Sequence, residues 1–190
     1  LVLKSRAQEG RGNRILLGLG SNIEPEAYIA AAAVMLCRRL DVLSSSTVYR
    51  TEPLMGRRQP EYLNCVMLAR SGMEPMAIKR TILESIERSL GRRRSSDKYA
   101  SRTIDIDLLS CGDMRLRSRA LILPDPDIVR RPFLAACVHE VMPDFDMPGY
   151  REMLLSLKSD SAGGPLRAEL EITAIVRSIV HTIGAVPHSV

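Results

Sequence analysis

The sequence predicts an α+β sandwich in which helices pack on a mostly antiparallel sheet, three layers deep (αβα). Three observations lead there. Periodic segments follow one another in the order β-α-β-β-α-β, with extra strands, which is the order of a ferredoxin-like sandwich. The 190 residues suffice for one domain with a real core but not for two ordinary ones. Apolar residues at 45% and charged residues at 26% give the balance of a folded globular chain.

Residues 14–19 read as a buried strand that closes on the turn-forming trio Gly20-Ser21-Asn22. Pro25 suits a first helical turn, and Ile29, Ala33, Leu36 and Leu40 mark one face of the helix behind it. Residues 45–51, rich in β-branched and aromatic side chains, read as a strand; a loop with two prolines, a glycine and paired arginines occupies 52–60. From Tyr62 the pattern alternates. Leu63, Cys65, Met67 and Ala69 share one face; Tyr62, Asn64, Val66 and Leu68 share the other. Pro75 opens a second helix with the stripe Ile78, Ile82, Ile86 and Leu90, and Gly91 ends it.

A basic loop, 92–101, leads to a strand at 103–109, and Gly112-Asp113 turns the chain toward a hairpin partner at 114–116. A short strand at 121–123 precedes the turn Pro124-Asp125-Pro126, and a helix spans 133–141 before Pro143. The domain proper is then 15–157, preceded by a polar extension, 1–14. Ser, Gly and Pro gather in a linker at 159–165. Ile172, Val176, Ile179 and Ile183 outline one more amphipathic helix within 158–190, with no role assigned.

Composition removes several function classes. Apolar stretches break well before the roughly 20 residues that span a bilayer, so no membrane partner is expected. The first fourteen residues lack a signal peptide's apolar core, which points to the cytoplasm. Cys37, Cys65, Cys111 and Cys137 have neither metal nor redox spacing, and the three histidines do not cluster; reduced thiols and no zinc site are expected. The net charge of +5, carried mostly by arginine, suits a polyanionic ligand. Nucleic acid is disfavoured: there are no Trp, two Phe, and no helix-turn-helix or RNP pattern.

The most informative segment is Arg102-Thr103-Ile104-Asp105-Ile106-Asp107-Leu108-Leu109. On a strand, Asp105 and Asp107 share the face opposite Ile104, Ile106 and Leu108, with Cα atoms about 6.5–7 Å apart. Two like charges on one strand face repel, and a divalent cation offsets that cost; hard carboxylate oxygens favour magnesium. A solvent-facing strand that happens to carry two acids explains the same periodicity. Arg92, Arg93, Arg94, Lys98, Arg102 and Arg131 could hold phosphate oxygens bidentately, although a solvated loop is the commoner meaning of such a run. Tyr62 and Asn64 together suit a polar heteroaromatic ring, or simply a half-buried strand.

Taken in order, Gly-Leu-Gly-Ser21-Asn22, Tyr49 to Leu54, Gln59 to Asn64, Leu90-Gly91-Arg92, Arg102 to Leu109, and Leu123-Pro124 through Arg131-Pro132-Phe133 resemble the hydroxymethyldihydropterin pyrophosphokinase family, over about residues 15–157. That resemblance implies transfer of pyrophosphate from ATP to 6-hydroxymethyl-7,8-dihydropterin, leaving AMP, in folate synthesis. It implies that Asp105 and Asp107 bind two magnesium ions, with Arg92 and Arg102 catalytic beside them. It further implies a pterin pocket of Thr51, Leu54, Tyr62, Asn64 and Phe133. Glu84, Glu87, Arg94, Tyr99, Leu108, Asp125 and Arg131 fall at nucleotide positions. A monomer or weak homo-oligomer is expected. The loops 52–60 and 92–101 would close over the site.

One position departs from the family. Pro-His is usual where this chain has Pro124-Asp125. A carboxylate ~5 Å from a phosphate charge, at an effective dielectric of ~20, costs about 3 kcal/mol. Two rivals to the enzyme stay open: a family member that binds pterin or nucleotide without turnover, and a basic α+β module that binds RNA.

Overall fold

The computed structural model describes residues 12–53, 56–93, 97, 99–158 and 166–184. Along the chain run β1 (Asn13–Ser21), α1 (Pro25–Cys37), β2 (Asp41–Ser45), β3 (Tyr49–Thr51) and β4 (Tyr62–Ser71). Helix α2 is continuous through Pro75–Ala77, Ile78–Leu83 and Glu84–Ser89. Then come β5 (Asp105–Cys111), β6 (Leu116–Arg117), β7 (Ile122–Leu123), a 3-10 turn (Pro126–Val129), α3 (Pro132–Val141), α4 (Tyr150–Lys158), β8 (Arg167–Ala168) and α5 (Leu170–Gly184).

The sheet is antiparallel throughout. Its order is β5-β1-β4-β3-β8, with β2 also on β4, so β1 lies between the strand carrying the two aspartates and the strand carrying Tyr62 and Asn64. Side-chain alternation sends Ile15, Leu17, Leu19, Leu63, Cys65, Met67, Ile106 and Leu108 into a core shared with α1, α2 and α5. On the other face Leu16, Val66, Leu68 and Leu109 pack with α3 and α4. This is the expected three-layer sandwich. All four cysteines are buried thiols. Among the described residues no helix is long and apolar enough to cross a membrane.

The middle of α2, Ile78–Leu83, is π-helical. Its apolar stripe explains why. In an α-helix of 3.6 residues per turn, residues four apart drift by about 40°. Ile78, Ile82 and Ile86 repeat strictly at four and are all buried, and the wider π turn keeps them on one face.

Several boundaries differ from expectation. The strand expected over 45–51 is two strands. At the break, Ser46 Oγ accepts the Val66 N–H at 3.0 Å, so a side chain replaces a backbone partner in the ladder. Helix α1 stops at Cys37, with Leu40 buried in the following turn. The strand expected at 103–109 is shifted to Asp105–Cys111, because β1 ends at Ser21 and its last partner on this side is Asp105, opposite Gly20. Residues 116–117 pair with Ile122–Leu123 as a separate ribbon rather than with β5. Sequence reading assigned nothing to α4 or β8. Helix α5 packs on α1 and β2, burying Ile172, Val176 and Val180.

Candidate active site

The sheet face that carries α3 and α4 is left open at one end, and a cavity of 390 Å³ occupies it. Its floor is β1, where Gly18 and Gly20 fall on this face. Register places Gly18 beside Asp107 and Gly20 beside Asp105 on one side, and Gly20 beside Asn64 on the other. The acids and the Tyr62–Asn64 pair therefore stand on opposite walls of a trough, two strand spacings or about 9.5 Å apart. A Cβ on Gly20 would come within 2.9 Å of Asn64 Oδ1, so the glycine is what lets the amide lean over the floor.

On the Asn64 wall, the Asn64 amide donates to Thr51 Oγ1 at 2.8 Å, and both line the cavity with Tyr62. Phe133, from the first turn of α3, lines it from the facing side. Leu54 lies outside the described residues.

The other wall is electrostatic. Asp105 and Asp107 line this cavity and also a second, 290 Å³ cavity, which Glu84, Glu87, Arg92 and Lys79 help to enclose; Arg102 is shared by both. Asp105 accepts hydrogen bonds from both Arg92 and Arg102. Glu87 is 4% exposed; its Oε1 takes the Ile106 N–H at 2.9 Å and also Arg92. Burial alone would lower the Arg92 pKa, but Asp105 and Glu87 outweigh it and the net shift is upward, so the guanidinium stays charged. Glu87 thus ties helix α2, strand β5 and Arg92 together at one atom.

Asp107 faces solvent but is walled in by the cleft. Desolvation there, then the charges of Asp105, Asp125 and Glu87, push its pKa up, with Arg92 opposing. The carboxyl group therefore sits in an excess of negative field, which a cation would relieve. Among the described residues no group of three or more His, Cys, Asp or Glu side chains could hold a metal ion. Two hard carboxylates that need further oxygens from a ligand fit magnesium on a polyphosphate.

Asp125 and Arg131 also line the first cavity. Asp125 Oδ1 accepts the Asp127 N–H at 2.8 Å, capping the 3-10 turn. Burial raises its pKa most; the hydrogen bond from the Asp127 N–H opposes the rise, the Asp127 charge adds to it, and Arg131 and Arg130 oppose it. Arg131 pairs with Asp127 at 2.7 Å. Leu108, expected near the nucleotide, is 2% exposed in the core on the opposite face of β5. Arg94 and Lys98 lie outside the described residues.

Sequence reasoning missed the site's connector. Asn22, read there only as a turn former, is 2% exposed. Its Nδ2 donates to Pro60 O at 3.3 Å and to Ser101 Oγ at 3.1 Å, and its Oδ1 accepts the Arg102 N–H at 2.8 Å. One amide therefore holds the ends of both loops that flank the cleft. Those loops also touch farther out. Arg57 lies over the Tyr99 ring at 5.2 Å and pairs with Asp97 at 2.6 Å, while Gln59 Nε2 donates to Tyr99 O at 3.0 Å. A buried Asn at a strand end is the signal that could have found Asn22, but its partners are 38 to 80 residues away.

Comparison with known proteins places this cleft in context. The profile of the 7,8-dihydro-6-hydroxymethylpterin-pyrophosphokinase (HPPK) family matches residues 16–143. The chain is 33% identical over 149 residues to the 2-amino-4-hydroxy-6-hydroxymethyldihydropteridine pyrophosphokinase of Methylorubrum extorquens, covering 76% of this chain and 93% of that one. It is 30% identical over 159 residues to the enzyme of the same name from Aquifex aeolicus, covering 83% and 98%. It is 32% identical over 145 residues to that of Synechocystis sp., covering 75% and 73%. Among solved structures, an HPPK-DHPS in complex with substrates superposes with a TM-score of 0.60 at 13% identity. That match covers 80% of this chain but 45% of the longer one, so it speaks to fold. Likeness in sequence over the segments that build the cleft agrees with likeness in fold over most of the chain, and the chain belongs to the HPPK family.

Proposed function

We propose that the chain transfers pyrophosphate from ATP to the hydroxymethyl group of 6-hydroxymethyl-7,8-dihydropterin, giving AMP and the pterin diphosphate for folate synthesis. The observation that carries this is the trough: a glycine floor with paired carboxylates on one wall and an amide–aromatic pair on the other. The pterin ring would lie between Tyr62 and Phe133, its polar edge on Asn64 and Thr51. The triphosphate would run along the β5 wall toward Arg92, Arg102 and Arg131, with Tyr99 and Glu84 near the nucleotide.

Asp105 and Asp107 would hold magnesium, two ions in this proposal, together with phosphate oxygens. Bound there, magnesium supplies charge neutralisation and makes the substrate hydroxyl more acidic. The chain's own part is positioning and electrostatics, which dominate phosphoryl-type transfer. Arg92 and Arg102 both donate to Asp105, so phosphate oxygens would compete with the carboxylate for their donors. Glu87 then keeps Arg92 aimed into the cleft. We place the activity in the cytoplasm, in a monomer or weak homo-oligomer.

A second reading, binding without turnover, is favoured by one observation: Asp125 stands in the cleft wall. AMP release measured with ATP, magnesium and the pterin separates the two. AMP formation that requires both pterin and magnesium supports the transfer. Binding of both ligands with no AMP supports the second reading.

A further inference from the structure

We infer that β8 and the start of α5 brace the pterin wall of the cleft, making residues 166–184, which lie beyond the family-matched region, positioning elements for the transfer. Only the identity of the ligand rests on the proposed function; the brace does not.

Strand β3 is three residues long, and its last residue, Thr51, lines the cavity and bonds Asn64. So short an edge strand holds its geometry poorly unless its outer side is paired. Here it is paired: Tyr49 faces Ala168 and Arg50 faces Arg167 in antiparallel register. Both backbone groups of the preceding residue, Val48, are also taken by this segment. The Val48 N–H donates to Thr173 Oγ1 at 2.9 Å, and its carbonyl accepts the Glu169 N–H at 2.8 Å.

Charge adds two ties. Arg50 Nε donates to Glu169 Oε1 at 2.5 Å, and Arg167 Nη1 donates to Glu61 Oε1 at 2.5 Å. Arg50 lies on β3 just before Thr51, and Glu61 stands just before Tyr62, so the two ties grip the chain next to two residues that line the cavity. The brace is stiff because α5 is anchored elsewhere, with Ile172, Val176 and Val180 in the main core. A helix that only filled the core would need none of these contacts to β3 and Glu61.

The test compares a double variant, Arg167→Ala with Glu169→Ala, against Arg177→Ala. Arg177 sits on α5, which follows them, but reaches Ser45 O, Thr47 and Glu140, away from the cleft. Loss of two partly exposed ion pairs should raise the pterin KM about fivefold in the double variant and leave the ATP KM within about twofold. Arg177→Ala should move neither. Amide hydrogen exchange across Tyr49–Thr51 should accelerate in the double variant alone. An unchanged pterin KM, equal rises in both KM values, or unchanged exchange at β3 overturns the brace. If the wild-type chain forms no AMP, the transfer fails, and the exchange result still decides the brace.

Discussion

Replacing Asn22 with Ala tests whether one buried amide governs both loops around the cleft. The substitution removes three side-chain hydrogen bonds, to Pro60, Ser101 and Arg102, and strands the Arg102 N–H in a partly buried site. At about 1 kcal/mol net per bond, plus about 1 kcal/mol for the stranded donor, the local cost is about 3–4 kcal/mol. The cost falls on loop ends, not on the sheet, so it lowers the free energy of local opening before it lowers that of unfolding. A loss of about 3 kcal/mol makes the open loops roughly 150-fold more populated relative to the closed ones. Arg102 then leaves Asp105, and Tyr99 leaves Gln59. We expect kcat to fall at least tenfold and both KM values to rise, although Asn22 touches neither ligand. Asn22→Asp keeps the acceptor for the Arg102 N–H and should recover part of the loss. Steady-state kinetics, hydrogen exchange at Arg102 and thermal unfolding together decide it. Unchanged exchange at Arg102, or a loss of activity that follows the fraction unfolded alone, would show that the loops do not depend on this clamp.

Further outcomes follow from the trough. Gly20→Ala puts a methyl within 2.9 Å of Asn64 Oδ1, so the amide must turn and its Nδ2 leaves Thr51 Oγ1; about tenfold weaker pterin binding is expected with ATP binding unchanged, by calorimetry. Gly18→Ala meets only the Leu109 side chain at 3.2 Å and should do less. For Asp107 the native pKa lies above the unfolded one, so the native state binds the extra proton and stability falls as pH rises between 3.8 and about 7. Without divalent cations, Asp107→Asn should therefore be more stable than wild type at pH 8 and lose that advantage by pH 4; an advantage of the same size at both pH values in thermal unfolding would contradict this. Solvent at this carboxyl screens part of the effect, and added magnesium should abolish it for wild type. Asp125→His removes a negative charge from the cleft but also the cap on Asp127, at about 1 kcal/mol of stability. The ATP KM should drop by less than tenfold, because Arg130 and Arg131 already offset the aspartate; no drop would mean the offset is complete.

What was legible in the sequence was what one strand or helix states about itself. Alternation in 62–69 and 103–109 assigned faces correctly, and the two aspartates do open on one cleft. Tyr150, Met153, Leu154 and Leu157 carry the i, i+3, i+4, i+7 stripe of α4, a signal that sequence reading passed over. The break between β2 and β3 was not, because it depends on Ser46 meeting Val66 and on Val48 meeting Thr173. Leu108 shows the same boundary from the other side. Alternation alone puts it opposite Asp107, in the core, while its place in a nucleotide site came only from resemblance.

The glycines of β1 show why register, more than composition, shapes the cleft. Read along the chain, Gly18 fell inside a buried strand and Gly20 in the turn-forming trio that closes it. Across the sheet they are the bare strip between two functional walls, and any side chain there would fill the space a ligand needs. The same register explains why Asp105 is held by arginines while Asp107 is left with a raised pKa. Asp105 lies at the strand end, within reach of Arg92 and Arg102, whereas Asp107 lies two residues deeper, where Asp125 comes from the turn before α3. The two acids are thus chemically unequal before any ligand arrives. Of the two acids that would hold a divalent cation, Asp107 is the one whose charge its neighbours oppose, and Asp105 is the one whose oxygens are shared with guanidinium groups that phosphates would compete for.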